Sequence, residues 1–256
     1  MANSPSGESI LGRTMRILQA FDAENPRLTA SEIARRTGLP SSTAHRLAKD
    51  MVEAGFLDRL VDGCFTVSPM AWEISARSSA VERFRMLANP VLEKLNRDLG
   101  MYVSLTIPDF VERSVVHIHR IHADEPVVII GDHATRLDLH ITTTGMVMLA
   151  HAAPKIIEEV CSRPFVHSGT GAVTQAKEVR AELPEIRRDG YTYMIGGMVP
   201  GNTACAAPVF SSTKRVMGAV GVVTLTERAE PRQIIDATIQ AAQEVTDGLK
   251  KVSLDL

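Results

Sequence analysis

Residues 28–47 read LTASEIARRTGLPSSTAHRL, and residues 52–57 follow as VEAGFL. The opening Thr29-x-x-Glu32 is a capping-box pattern. The Thr29 hydroxyl can accept an orphan amide of the first turn, and the Glu32 carboxylate can reach back to the Thr29 amide. A short helix over 30–36 follows. Gly38 supplies a turn, and Leu39 is placed to plug the corner. Ser41 is positioned to cap a second helix that runs to about Ala54 and stops at Gly55. Its apolar face is Ala44, Leu47, Met51 and Val52, and its polar face carries Ser42, Thr43, His45, Arg46 and Lys49.

Upstream, Ile10, Leu11, Met15, Ile17, Leu18 and Phe21 predict an amphipathic helix over 10–21. Downstream, residues 56–59 and 64–67 are strand-like and flank Asp62-Gly63, a strong hairpin turn signal. Three helices and a hairpin in under seventy residues predict a winged helix-turn-helix. From Ile33 to Lys49 the chain holds Arg35, Arg36, Arg46 and Lys49, with no acidic residue. Basic side chains beside the small hydroxyls Ser41, Ser42 and Thr43 at a helix start suit phosphate and base contacts in a major groove. The expected DNA-binding set is Arg35, Arg36, Ser41, Ser42, Thr43, His45, Arg46 and Lys49. A charge run alone more often marks a solvated face; the capping box, glycine turn and hairpin around this one tip the balance to double-stranded operator DNA.

The rest of the 256 residues sets the context. The chain is 45% hydrophobic and 23% charged with a net charge of −2, so nucleic-acid binding has to come from a local patch and not from overall basicity. That argues against a DNA-packaging protein. No apolar run approaches the roughly 20 residues of a membrane span, and the polar start MANSPSGES predicts a cytoplasmic protein. Organisation is expected as residues 1–68 for DNA binding, 69–80 as a linker helix and 81–256 as a larger α+β domain. In that domain a helix over 81–99 should be kinked or divided by Pro90. Strands are expected at 102–107, 114–121, 126–131, 191–195, 203–210 and 216–225, and helices at 145–152, 155–160, 175–188 and 232–249.

These stretches, together with residues 183–209 (LPEIRRDGYTYMIGGMVPGNTACAAPV) and Leu139-His140 through Gly145, resemble the IclR family of transcription regulators over nearly the whole chain. The resemblance implies a winged helix-turn-helix, a linker helix, a GAF-like effector-binding domain, and homodimers or dimers of dimers on palindromic operators. It implies an amide cradle at Thr142, Thr143, Thr144 and Gly145, with Met146 after it, and puts the family's polar pocket positions at Met194, Ala204, Gly221 and Val223. Those four side chains offer no strong hydrogen bond, so the expected effector is aromatic or hydrophobic, with one carboxylate or hydroxyl for the threonine loop. The chain departs from the family at Cys64-Phe65, where the wing usually carries Arg-Tyr, and at Gly196-Gly197, where an acidic pair is usual. Trp72, Ile74 and Leu87 are candidate dimer contacts.

An enzyme with a helical accessory domain is the alternative. No G-x-S-x-G elbow is present, Gly169-Thr-Gly171 lacks the lysine of a phosphate loop, and no cofactor motif appears. Cys64, Cys161 and Cys205 are scattered. His117 and His119 would share a strand face, with His122, His133 and His140 nearby, but carboxylates or cysteines at matching spacing are missing, so neither a metal site nor catalytic residues are expected.

Overall fold

A computed structural model describes residues 8–123, 126–130, 136–166 and 173–252. Two compact units emerge, Met1–Ser79 and Ala80–Leu256.

The first unit contains α1 (Ile10–Leu18), β1 (Arg27–Leu28), α2 (Ala30–Thr37), α3 (Ser41–Glu53), β2 (Leu57–Arg59), β3 (Phe65–Val67) and α4 (Pro69–Ser78). The capping box of α2 forms in both directions: the Thr29 amide donates to Glu32 Oε2 at 2.8 Å, and the Glu32 amide to Thr29 Oγ1 at 3.2 Å. The Thr29 amide first, and then the Thr29 hydroxyl donating to Glu32 Oε2 at 2.8 Å, hold the Glu32 carboxyl below its usual range. Gly38 closes α2 at φ +66°, a left-handed conformation suited to glycine, and Leu39 is buried behind it. Ile17, Leu28, Ile33, Leu47, Leu57 and Phe65 form one core, each side chain contributing roughly 1.5–3 kcal/mol by burial. The wing has an unforeseen third strand, in the order β1-β3-β2. Ser41 does not cap α3; Pro40 occupies the cap position without a side-chain bond, and Ser41 begins the first turn.

In the second unit α5 (Ala80–Leu99) runs unbroken through Pro90. It leads into β4 (Tyr102–Asp109), β5 (Ser114–Ile121), β6 (Arg136–Asp138), a single 3-10 turn at Leu139–Ile141, α6 (Thr143–Ala150), α7 (Pro154–Val160), the short pair β7 (Phe165–Val166) and β8 (Val173–Thr174), α8 (Ala176–Asp189), β9 (Thr192–Ile195), β10 (Asn202–Phe210), β11 (Val216–Leu225) and α9 (Pro231–Val252). Six strands make an antiparallel sheet in the order β6-β5-β4-β11-β10-β9. Side-chain alternation divides it into two faces. Val103, Leu105, Val220, Val222, Cys205 and Ala207 pack against Phe84, Ala88 and Leu92 of α5 and Ala241, Val245 and Leu249 of α9. Ala206 and Ala219 face the other way, towards Met146, Val147 and Leu149 of α6 and Val179 and Leu183 of α8. Helices on both faces of an antiparallel sheet give the GAF-like α+β architecture.

Two glycines let the layers close on β11 from opposite sides. A Cβ at Gly218 would lie 3.0 Å from the Phe84 ring, and one at Gly221 would lie 2.8 Å from Thr144 Cγ2.

Some expectations fail here. Residues 126–130 form no strand; Asn202 Nδ2 donates to the Val128 carbonyl at 2.9 Å. The apolar run that suggested a ladder instead covers a cavity. A β-bulge at Ile118 sets His117 opposite Thr106 and His119 opposite Leu105, so the two histidines fall on opposite faces of the sheet. Leu87 packs on α9 beside Gly248 within the core of its own unit. His133 and the Gly169–Gly171 segment lie outside the described residues.

Candidate DNA-binding helix and effector cavity

In the first unit α3 presents its polar face to solvent. Ser41, Ser42, His45, Arg46 and Lys49 are exposed and Thr43 is half-buried, while Ala44, Leu47, Ala48 and Met51 face the core. Ser41, Ser42 and Thr43 occupy the first turn, where backbone amides have no intrahelical acceptor. Arg46 Nη1 donates to Asp50 Oδ2 at 2.9 Å, an exposed i,i+4 pair. Arg36 is bound to Asp22, and Arg35 is exposed in the last turn of α2. The wing is tied by Arg27 to Asp62, and the Cys64 amide donates to Asp62 Oδ1 at 3.0 Å. Phe65, at the second position of the usual Arg-Tyr pair, is buried in the core.

In the second unit a cavity of about 100 Å³ lies between the sheet and the start of α6. Strand register shows how it is built. Tyr102, Val223, Ala204 and Met194 are successive cross-strand partners on β4, β11, β10 and β9 and form one row of the floor. Ser104 and Gly221 begin the next row. Thr142, Thr143 and Thr144 close one side, and Val128, Ile129 and Ile130 cover the top. Thr142 caps α6, its Oγ1 accepting the Gly145 amide at 3.0 Å. Helix geometry leaves the Thr143 and Thr144 amides without intrahelical acceptors.

Seven of the nine sequence-derived positions therefore line the cavity: Thr142, Thr143, Thr144, Met194, Ala204, Gly221 and Val223. Gly145 and Met146 do not. A Cβ at Gly145 would meet the Leu139 carbonyl oxygen, so that glycine serves the close approach of the 3-10 turn to α6; Met146 is buried in the core beneath. Sequence reasoning missed Tyr102, Ser104, His117 and Asn202, which restore polarity to a site expected to be almost apolar. A signal was present in β4, where Tyr102, Ser104 and Thr106 alternate with Val103, Leu105 and Ile107. Burial pushes the Tyr102 phenol up to about 12, despite the nearby Arg120 charge. The hydroxyl is thus neutral near pH 7 and can both donate and accept.

All three cysteines are free; burial pushes Cys161 up, and Cys205 up to about 12, so neither is a ready thiolate. Among the described residues no three histidine, cysteine or acidic side chains are grouped to hold a metal ion, and no helix is long and apolar enough to cross a membrane.

A winged helix-turn-helix joined to a sensor fold with a small internal cavity defines a ligand-responsive DNA-binding regulator. Residues 11–60 match the IclR helix-turn-helix domain and residues 80–250 the bacterial transcriptional regulator IclR C-terminal domain. The chain belongs to the IclR family, whose members are transcription regulators and not enzymes. It is similar to the crystal structure of an IclR homolog from Microbacterium hydrocarbonoxydans complexed with 4-hydroxybenzoate, with 31% identity, a TM-score of 0.85, and coverage of 95% of this chain and 100% of that one. It is 21% identical to the transcriptional repressor IclR of Escherichia coli (strain K12), covering 92% of this chain and 88% of that protein. It is 23% identical to the p-hydroxybenzoate hydroxylase transcriptional activator of Acinetobacter baylyi (strain ATCC 33305 / BD413 / ADP1), covering 94% and 90%.

Proposed function

We propose that this protein represses a catabolic operon in the cytoplasm, and that a small aromatic or otherwise hydrophobic acid in the sensor cavity controls its hold on operator DNA. The observation that carries the effector class is the cavity floor. Val223, Ala204 and Met194 offer apolar surface, while the α6 amides offer hydrogen bonds at one side. Burying apolar area is favourable by about 25 cal/mol per Å², which suits a ring over this row. A glyoxylate-sized anion would leave the row uncovered. The cavity is of the order of the roughly 150 Å³ void known to accept one benzene ring, which favours a monocyclic ligand. The similar Microbacterium protein, bound to 4-hydroxybenzoate, supports the same class.

On the DNA side, α3 enters the major groove with Arg46, Lys49 and His45 towards the bases and Ser41, Ser42 and Thr43 at phosphates; Arg35 and Arg36 approach the backbone from α2. One winged helix covers about one half-site, so the working form is a homodimer or a dimer of dimers. Residues 69–80 serve as its linker, with exposed Trp72 and Ile74 as pairing surface. Thermal-shift titration with benzoate, 4-hydroxybenzoate, glyoxylate and pyruvate tests the effector class, and a gel shift on the promoter of the neighbouring operon tests release. Stabilisation by the aromatic acids with loss of the shifted band is expected. Stabilisation by glyoxylate or pyruvate alone would reverse the assignment.

A further inference from the structure

We propose that the Tyr102 hydroxyl is the specificity-determining contact for a second oxygen on the effector, at the end of the ring away from its carboxylate. This rests on the aromatic-acid reading above and adds which acid is preferred and which residue chooses it. The polar lining from β4 falls on two successive rows of the sheet, and each row marks one end of the proposed ligand. At one, Thr144, Ser104 and Gly221 converge: a Cβ on Gly221 would lie 2.8 Å from Thr144 Cγ2 and 3.0 Å from Ser104 Oγ. The open amides of the first turn of α6 are at this end, and a carboxylate suits a helix N-terminus. Two residues back along β4, about 7 Å away, stands Tyr102. That separation is on the scale of a six-membered ring substituted at opposite ends. Val223 and Ala204 continue the row from Tyr102 and give the ring an apolar bed.

Tyr102 is 2% exposed, and its hydroxyl has no hydrogen-bond partner among the described residues. Its ring is already held, edge-on to His122 at 5.9 Å between centroids. Buried hydroxyls are ordinarily satisfied, so one left without a partner in a cavity wall is a vacancy for a ligand atom. Asn202 is anchored at the other edge of the cavity, its Nδ2 donating to the Val128 carbonyl. A phenol that donates and accepts can meet a hydroxyl in either sense.

Calorimetric titration of the full-length protein and its Tyr102→Phe variant with benzoate and 4-hydroxybenzoate tests the proposal. The wild type should prefer 4-hydroxybenzoate by about tenfold, the scale of one net buried hydrogen bond. In Tyr102→Phe the preference should fall to within about twofold while benzoate affinity stays within about twofold of wild type. The ligand-free variant should melt no lower than wild type, since it loses an unsatisfied hydroxyl and keeps the ring. Retention of the preference in Tyr102→Phe, equal weakening of both acids, or a lower melting temperature of the ligand-free variant would each overturn the role of Tyr102. Equal wild-type binding of both acids would overturn it and leave the aromatic-acid reading standing. If neither acid binds the wild type, that reading falls and the Tyr102 proposal falls with it.

Discussion

Replacing Gly221 by alanine tests the geometry of the cavity floor with a single methyl group. The new Cβ would sit 2.8 Å from Thr144 Cγ2 and 3.0 Å from Ser104 Oγ, against an ordinary carbon contact of roughly 3.5–4.0 Å. The shortfall on the threonine side is therefore about 0.7 Å or more. Both obstructing atoms end short side chains, so the overpacking cost belongs in the ordinary range of about 1–3 kcal/mol. Lower chain entropy in the unfolded state offsets about 0.4–1 kcal/mol, because Gly221 has no positive φ that alanine would strain. The net loss is on the order of 0–2.5 kcal/mol, a melting shift of up to about 10 °C for a domain of this size. Ligand affinity should suffer more, since the methyl group or the displaced Thr144 takes room from a cavity of only about 100 Å³. We expect benzoate or 4-hydroxybenzoate binding to weaken at least tenfold, about 1.4 kcal/mol. Differential scanning fluorimetry and calorimetry on the same preparations separate the two effects. Unchanged melting together with unchanged affinity would refute the placement of Thr144 over β11.

Other perturbations have equally definite outcomes. Arg46→Ala removes an exposed ion pair worth about 0.3–0.5 kcal/mol to folding, yet should cost about 1–3 kcal/mol per half-site in operator binding. Fluorescence anisotropy at two salt concentrations would show both the loss and a steep salt dependence; equal binding by wild type and variant would count against α3 as the recognition helix. Gly145→Ala meets backbone at the Leu139 carbonyl and, unlike Gly221→Ala, cannot be relieved by a side-chain rotation. It should destabilise by roughly 3 kcal/mol or more in urea titration, and a wild-type midpoint would contradict the packing of the 3-10 turn on α6. Burial, opposed by a hydrogen bond from Nδ1 to the Val147 carbonyl and reinforced by Arg187, holds His151 below its usual 6.5. The folded state thus takes up its proton later than the unfolded chain. The His151 contribution is whole above about pH 6.5 and is lost as pH falls through that value towards the lowered one. His151→Gln should flatten the stability profile between pH 7 and 5; an unaltered slope would exclude this residue as its source.

The DNA-binding unit was legible because its signals are local. Thr29 and Glu32 are three residues apart, Gly38 turns the chain by its own backbone freedom, and Asp62-Gly63 reverses the chain between Arg59 and Phe65. The strand β1 was missed because two residues, Arg27 and Leu28, carry no periodicity of their own and gain strand character only by pairing with Thr66 and Phe65. The cavity was half legible. Thr142, Thr143 and Thr144 follow one another in sequence, but Tyr102 is set beside Val223 on the floor by register across strands more than a hundred residues apart. Hence Tyr102 and Ser104, on β4, were overlooked although their alternation with Val103 and Leu105 was visible. The run Val127-Val128-Ile129-Ile130 has strand composition, and its role over the cavity depends on Asn202, far along the chain. The extra residue at Ile118 could not be foreseen, because a bulge is defined by the strand opposite.

Two glycines on β11 bring neighbours from opposite faces of the sheet directly against its main chain. Thr144 rests on Gly221 from one side of β11 and Phe84 rests against Gly218 from the other. At these two places no intervening side chain can change rotamer and soak up a displacement. A push on Thr144 meets main chain that is hydrogen-bonded on both edges, to β4 and to β10, and such a ribbon shifts as a piece more readily than it dents. Three residues further along, the same ribbon bears on the first turns of the helix with which the second unit begins. The two missing side chains make β11 a stiff diaphragm, in a region where most sheets carry cushioning.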